Sequence, residues 1–241
     1  MGARAFEIGE RVILRSRRKS VGARVTRVER WKRRVITDLG ERKIVSARAL
    51  WYPNETFLML EARLDRSLRS GRGQGAFIKE LVGAYGAKLL YERVHTREDL
   101  RIFLQTEGRR PSVRLIHFTG HGHGENGTIS LTFEDVKLDD AVPLFKGLKG
   151  KVVLFSSCEI GSLGQVMRKL VREAELAGII AYRTEVHDTY ANLADAMIYD
   201  RLLLSSDSPR KIVTEVNRAL HVLGKTDINP AWRGPVLTCY D

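Results

Sequence analysis

The stretch LIHFTGHGHGENG, residues 115–127, carries three of the chain's six histidines, His117, His121 and His123, among four glycines. Thirty-seven residues after His121, Cys158 stands in KVVLFSSCEIG. Two chemistries fit such residues. Imidazole with carboxylate ligates zinc, and His117, His121, His123 and Glu125 offer both. An imidazole beside a thiol can instead take its proton, and the thiolate is a strong nucleophile towards a peptide carbonyl.

The metal reading fits HGHGEN poorly. It echoes the His-x-His-x-Asp-His element of metallo-β-lactamase-like hydrolases, but Glu125 and Asn126 stand where Asp and the last His belong. His95, His187 and His221 sit in no ligand motif, and His117 alternates with Leu115 as one face of a strand would. The expectation is therefore no metal and no cofactor, with a His-rich metallohydrolase as a competing reading. In the thiol reading His121 is the base or acid and Cys158 the nucleophile. Gly120, Gly122 and Gly124 clear side chains from the approach of a substrate backbone. The N–H groups of Gly122 and Cys158 are candidates for stabilising the oxyanion. Around Cys158, SSCEIGS is small and polar, which suits a site better than a core. Cys239 lies inside the apolar GPVLTCY and is expected in the core, and His123 faces solvent.

These residues need elements to bring them together. TFLMLEA, KLLYERV, VRLIHF, KVVLFSS, GIIAYR and GPVLTCY read as strands, and NGTISLTF as part of a hairpin. Between them GAFIKELVGAYG, TREDLRIFLQTEG with Thr96 as N-cap, DDAVPLFKGLKG, LGQVMRKLVREAELAG ending at Gly178, DTYANLADAMIYDRLLL and SPRKIVTEVNRALHVLG read as helices. Apolar strands alternating with helices predict an α/β unit over 55–241, a mostly parallel sheet flanked by helices on both faces. Its ligands bind at the carboxyl edge. His121 lies just past VRLIHF and Cys158 just past KVVLFSS, so neighbouring strands would deliver both to that edge.

The formal charge of +12 is uneven: residues 1–54 hold 15 Lys and Arg against 5 Asp and Glu, and the remainder is nearly neutral. FEIGERVILRS, GARVTRVER, RRVITDLG and RKIVSARAL read as four or five short strands punctuated by Gly9, Gly22 and Gly40. They resemble an SH3-like or Tudor-like small all-β barrel over residues 1–52, with YPNET as the linker. RSRRKS and ERWKRR make nucleic acid or an acidic activator protein the expected partner of this unit. Phe6, Trp31, Trp51 and Tyr52 are too few for a methyl-lysine cage once some fill the core. No apolar run approaches the ~20 residues of a membrane span, MGARAFEIGERV has no secretory apolar region, and two cysteines make no disulfide framework. The expected setting is the reducing cytoplasm, away from membranes.

LIHFTGHG followed by KVVLFSSCEIG resembles the caspase-like (clan CD) cysteine peptidases, most closely their CHAT members (caspase HetF-associated with TPRs). GIIAYRTEVHDTYANLADAMIYDRLL is similar to that family's next strand, Asp-bearing loop and helix, so the resemblance spans about residues 55–241. It implies a Cys–His dyad of Cys158 and His121 in an endopeptidase acting on proteins, in a setting of microbial defence or signalling. It also implies a specificity pocket in YRTEVHDTY, where Asp188 and Glu185 would bind a basic side chain and Arg183 would suit an acidic one. Asp188 is equally placed to cap the following helix. No TPR repeat precedes the domain; the basic unit stands in its place. The basic RSLRSGRGQG, residues 66–75, is expected as a loop near the active edge. A competing reading keeps the same scaffold as a non-catalytic adaptor for nucleic acid or protein.

Overall fold

The computed structural model describes residues 8, 11–15, 20–29, 32–46, 50–51, 56–64, 73–85, 87–204, 207–223 and 232–241. The linker at 52–55, the basic loop up to Arg72, and Phe6, Trp31 and Tyr52 lie outside them.

Near the N-terminus, β1 (Arg11–Arg15), β2 (Ser20–Val28), β3 (Lys32–Thr37), β4 (Arg42–Ser46) and β5 (Leu50–Trp51) form an antiparallel sheet in the order β4-β3-β2-β1-β5. Strand β3 alternates strictly between exposed and buried positions, as a strand with one wet face must. Val12, Ala23, Val25, Val35 and Leu50 form the apolar cluster of the inner face. The five-stranded antiparallel sheet is the part of the expected small barrel that the described residues show; among them no pairing joins β4 to β5.

The second sheet has six strands. In chain order they are β6 (Thr56–Glu61), β7 (Lys88–Arg93), β8 (Val113–Thr119), β12 (Val152–Ser156), β13 (Gly178–Tyr182) and β14 (Leu237–Tyr240), arranged β14-β13-β12-β8-β6-β7. All pair in parallel except β14, which closes one edge antiparallel to β13. Every residue of β6, β12 and β13 is buried, the run of apolar side chains expected when both faces are covered.

Alternate residues feed two cores. Leu58, Leu60, Ile116, Phe118, Val153 and Phe155 pack on one face, with α2 (Arg97–Gln105), α3 (Leu138–Ala141) and α4 (Gly164–Glu173). Phe57, Met59, Leu115, Leu154, Ile180 and Tyr182 pack on the other, with α1 (Gly75–Ala84), α5 (Asp188–Leu204) and α6 (Pro209–Leu223). The expected helix-covered, mostly parallel α/β layering is what the chain adopts. Thr96 caps α2 in a full capping box with Asp99.

Three local expectations shift. Helix α4 stops at Glu173 rather than running to Gly178: Glu175 turns left-handed at φ 51°, and Gly178 is the first residue of β13. Asp188 is the first residue inside α5 rather than its cap, because the His187 carbonyl accepts from the Ala191 N–H. There its charge still faces the positive end of the helix dipole. The hairpin around 128–130 is a three-stranded sheet, with β10 (Thr128–Ser130) between β9 (Gly122–His123) and β11 (Asp135–Lys137).

Candidate active site

Strands β8 and β12 are parallel neighbours in register, Thr119 opposite Ser156. His121 and Cys158 each lie two residues past those paired ends. The two loops touch. A Cβ on Gly122 would stand 2.5 Å from the Cys158 carbonyl oxygen and 2.9 Å from Ser157 Cβ, and one on Gly124 would stand 2.7 Å from Glu159 Cβ. Any side chain at either glycine would push the histidine loop off the cysteine loop. The Glu159 carboxylate adds a direct tie by accepting from the Gly124 N–H at 3.3 Å. Glu159 adopts the left-handed conformation, φ 61°, immediately after the thiol, a conformation costly outside glycine and typical of functional turns.

The exposed His121 ring places Nε2 2.9 Å from the Leu64 carbonyl oxygen. A carbonyl can only accept, so Nε2 carries the proton and Nδ1 is the basic nitrogen. Leu64 follows the tip of β6, the strand on the other side of β8. The Cys158 thiol is half-buried and points at the Val186 carbonyl, Sγ to O 3.8 Å, in the loop between β13 and α5. Burial pushes this thiol above its usual value. The Val186 contact pulls the other way, and the charges of Glu185, Glu159 and Asp188 push it up again. Burial and the neighbouring carboxylates thus both favour the neutral thiol over the thiolate.

The oxyanion candidates fall at the same edge. The His121 carbonyl accepts from the Ser130 N–H. In an antiparallel pair this leaves Gly122, opposite Ile129, with its N–H turned away from β10. A cleft of ≈770 Å³ runs past His121, walled by Leu64, His123, Ser130, Phe133 and Asp135 among others; Cys158 is not among its described walls. After β13, Glu185 is exposed and Asp188 half-exposed. Arg183 lies with its guanidinium 5.5 Å from the centre of the Trp232 ring, a stacking position that occupies the residue suited to an acidic side chain.

The three histidines of the opening stretch are not gathered. His117 is fully buried with Nδ1 3.1 Å from the Tyr199 hydroxyl, and burial lowers its pKa to about 3. His123 is exposed and contacts the Ser130 hydroxyl at 3.1 Å. Among the described residues no three His, Cys, Asp or Glu side chains cluster as a metal site. Cys239 is half-buried on β14, packed against the core of the α5 face.

Some contributors gave no sequence signal. Leu64 and Val186 contact His121 and Cys158 through carbonyls, which every residue type has. Asp195 did leave a signal: it falls on the stripe of Ala191, Ile198 and Tyr199 that α5 buries, a charge in an apolar stripe. It is fully buried, and its carboxylate accepts from Ser156 Oγ at 2.6 Å and the Tyr182 hydroxyl at 2.8 Å. His117 Nε2 lies 3.5 Å away. Thus one carboxylate touches β8, β12 and β13 within two residues of their ends.

No protein-family model matches the chain, and no curated protein does. Among solved structures, the crystal structure of caspase-1 from Spodoptera frugiperda is similar, with a TM-score of 0.51 at 14% identity over 78% of this chain and 85% of that one. The chain therefore has a caspase-like fold.

Proposed function

We propose that residues 55–241 form a CHAT-type cysteine endopeptidase that cleaves proteins after arginine or lysine. The observation that carries this reading is the register of β8 and β12, which puts His121 and Cys158 at equivalent steps on one rim, with Nε2 engaged by Leu64 and Nδ1 basic. Substrate turns the thiol from the Val186 carbonyl towards His121. Nδ1 takes the thiol proton as Sγ attacks the scissile carbonyl. The N–H groups of Cys158 and Gly122 receive the developing oxyanion. His121 then gives the proton to the leaving amine, and a water deprotonated by the same imidazole hydrolyses the thioester, restoring the thiol.

Glu185 and Asp188 supply the specificity. Both lie near enough to Cys158 to raise its pKa, so a basic side chain bound between them makes charge-assisted hydrogen bonds beside the nucleophile. It also neutralises the carboxylate charge that adds to burial in raising the thiol. The N-terminal sheet, an SH3-like module in this reading, tethers the enzyme, and a defence or signalling role follows from the family resemblance. A peptide series differing only in the residue before the cut tests the specificity. Arginine should exceed aspartate in kcat/KM by at least about 100-fold, and Glu185→Gln with Asp188→Asn should remove most of that margin, two charge-assisted contacts being worth several kcal/mol. Preference for aspartate would move the pocket to Arg183. No cleavage of any member would favour the adaptor reading.

A further inference from the structure

The peptidase reading leaves the chain's largest charge asymmetry unexplained. On the outer face of the N-terminal sheet, the pairing aligns Arg24, Ile36 and Arg42 in one row and Arg27, Arg34 and Ile44 in the next. Lys32, two residues before Arg34, adds a third cross-strand step opposite Ser46. All of these side chains but the serine are cationic or apolar, and all lie exposed. A register shift between Val25 and Arg27 keeps Arg24 and Arg27 on the same side despite their odd spacing. The inner face takes Ala23, Val25 and Val35 instead, so the alternation has sorted the cations to one side.

Cross-strand neighbours lie about 5 Å apart and same-face neighbours along a strand about 7 Å. The five cations therefore occupy a patch of roughly 10 by 13 Å. Like charges placed directly opposite one another destabilise a sheet, yet Arg27 and Arg34 are such a pair. Glu29 sits between them, 3.0 Å from Arg34 and 3.8 Å from Arg27.

The geometry points to a single-stranded polynucleotide as the occupant. Its phosphates match the cations through counterion release, and guanidinium planes stack on unpaired bases. The deciding feature is apolar: Ile36 and Ile44, 37% and 59% exposed, sit inside the cationic rows. A duplex hides its bases and would leave these side chains against the phosphate–sugar rail, whereas a single strand offers base faces to cover them. An acidic protein would supply carboxylates but no array of flat apolar rings. This face is separate from the residues of the candidate active site, so its occupancy stands or falls independently of catalysis.

Titrating the full chain against a fluorescent 20-nucleotide single strand of mixed sequence tests this. Affinity should fall with salt at a log–log slope near −3, about four phosphates at roughly 0.7 each. Arg27→Glu with Arg42→Glu should weaken binding at least tenfold and flatten the slope by about 1.4. Lys146→Glu with Arg172→Glu, an equal charge change at exposed sites of the other unit, should leave affinity within about twofold, a surface change that alters only net charge. Ile36→Ala with Ile44→Ala keeps every charge and should weaken single-strand binding several-fold while leaving duplex binding unchanged, with thermal unfolding of each variant confirming the fold. The assignment is overturned by absence of saturable binding at 100 mM salt, by equal losses in both charge variants, by tighter binding of the duplex, or by displacement of the oligonucleotide by polyglutamate at matched charge.

Discussion

Replacing Cys158 with alanine lowers kcat/KM on an arginyl peptide by at least about 10⁴-fold, and His121→Ala lowers it by 10³-fold or more. Combining them costs little beyond the first, because an imidazole with no thiol to deprotonate contributes nothing further. Cys239→Ala stays within about twofold of the parent. That thiol lies on β14, opposite Ile180, where burial and Asp241 push it up to about 12. The resting geometry adds a pH signature. Because Cys158 is raised rather than lowered, alkylation by a small neutral reagent climbs with pH to beyond the ordinary thiol range. Glu185→Gln shifts that climb to lower pH by removing a negative charge that opposes the thiolate. A thiol already ionised near neutrality would contradict this. Retained hydrolysis in Cys158→Ala would end the cysteine mechanism itself.

Asp195→Ala is expected to destabilise the protein by about 3–5 kcal/mol. It strands the buried Ser156 hydroxyl, leaves the Tyr182 hydroxyl only the Ala191 carbonyl 3.1 Å away, and leaves a hole beneath three strand ends. Those ends carry His121, Cys158 and the Glu185–Asp188 segment, so activity should fall with stability even where the variant remains folded. The conservative Asp195→Asn separates charge from packing. Burial raises the Asp195 carboxyl to about 7, against the bonds from Ser156 and Tyr182 that pull it down. The folded value therefore lies above the unfolded one, near 3.9. The contribution of this group is whole below about pH 4 and is lost as pH rises through 7, with a ceiling of about 4 kcal/mol. His117, lowered by burial to about 3, acts with the opposite sign: its contribution is whole above about 6.5 and lost as pH falls towards 3. Urea unfolding midpoints should therefore show Asp195→Asn gaining on the parent from pH 5 to about pH 7 and levelling above it. A constant difference across that range would mean that the carboxyl does not titrate in the folded protein.

The layering was legible because periodicity reports burial. The continuous apolar runs at 56–61, 152–156 and 178–182 could only be strands covered on both faces, and parallel crossovers then had to place residues 121 and 158 on one edge. Helix α2 was legible from Thr96 as its N-cap and from the helical spacing of the apolar residues after it. The end of α4 was not, since Gly178 resembles a helix stop but serves β13. In the N-terminal unit alternation fixed which face of a strand is wet, and β3 follows it residue by residue. The site divided the same way. The candidates with distinctive chemistry, His121 and Cys158, were visible, whereas the Leu64 and Val186 carbonyls that contact them depend only on where the chain passes. Asp195 lay in between, visible as a charge on an apolar stripe but with partners 39 and 13 residues away, Ser156 and Tyr182, that only the fold brings together.

The most direct test of the dyad is the position of the covalent adduct left by a peptide ending in an arginyl acyloxymethyl ketone, mapped by mass spectrometry on the full chain. The account predicts a single adduct on Cys158, formed at least about 100-fold more slowly in His121→Ala, with Cys239 unmodified. A Cys158 that reacts with iodoacetamide but not with the peptide reagent, or that labels equally fast without His121, would contradict it.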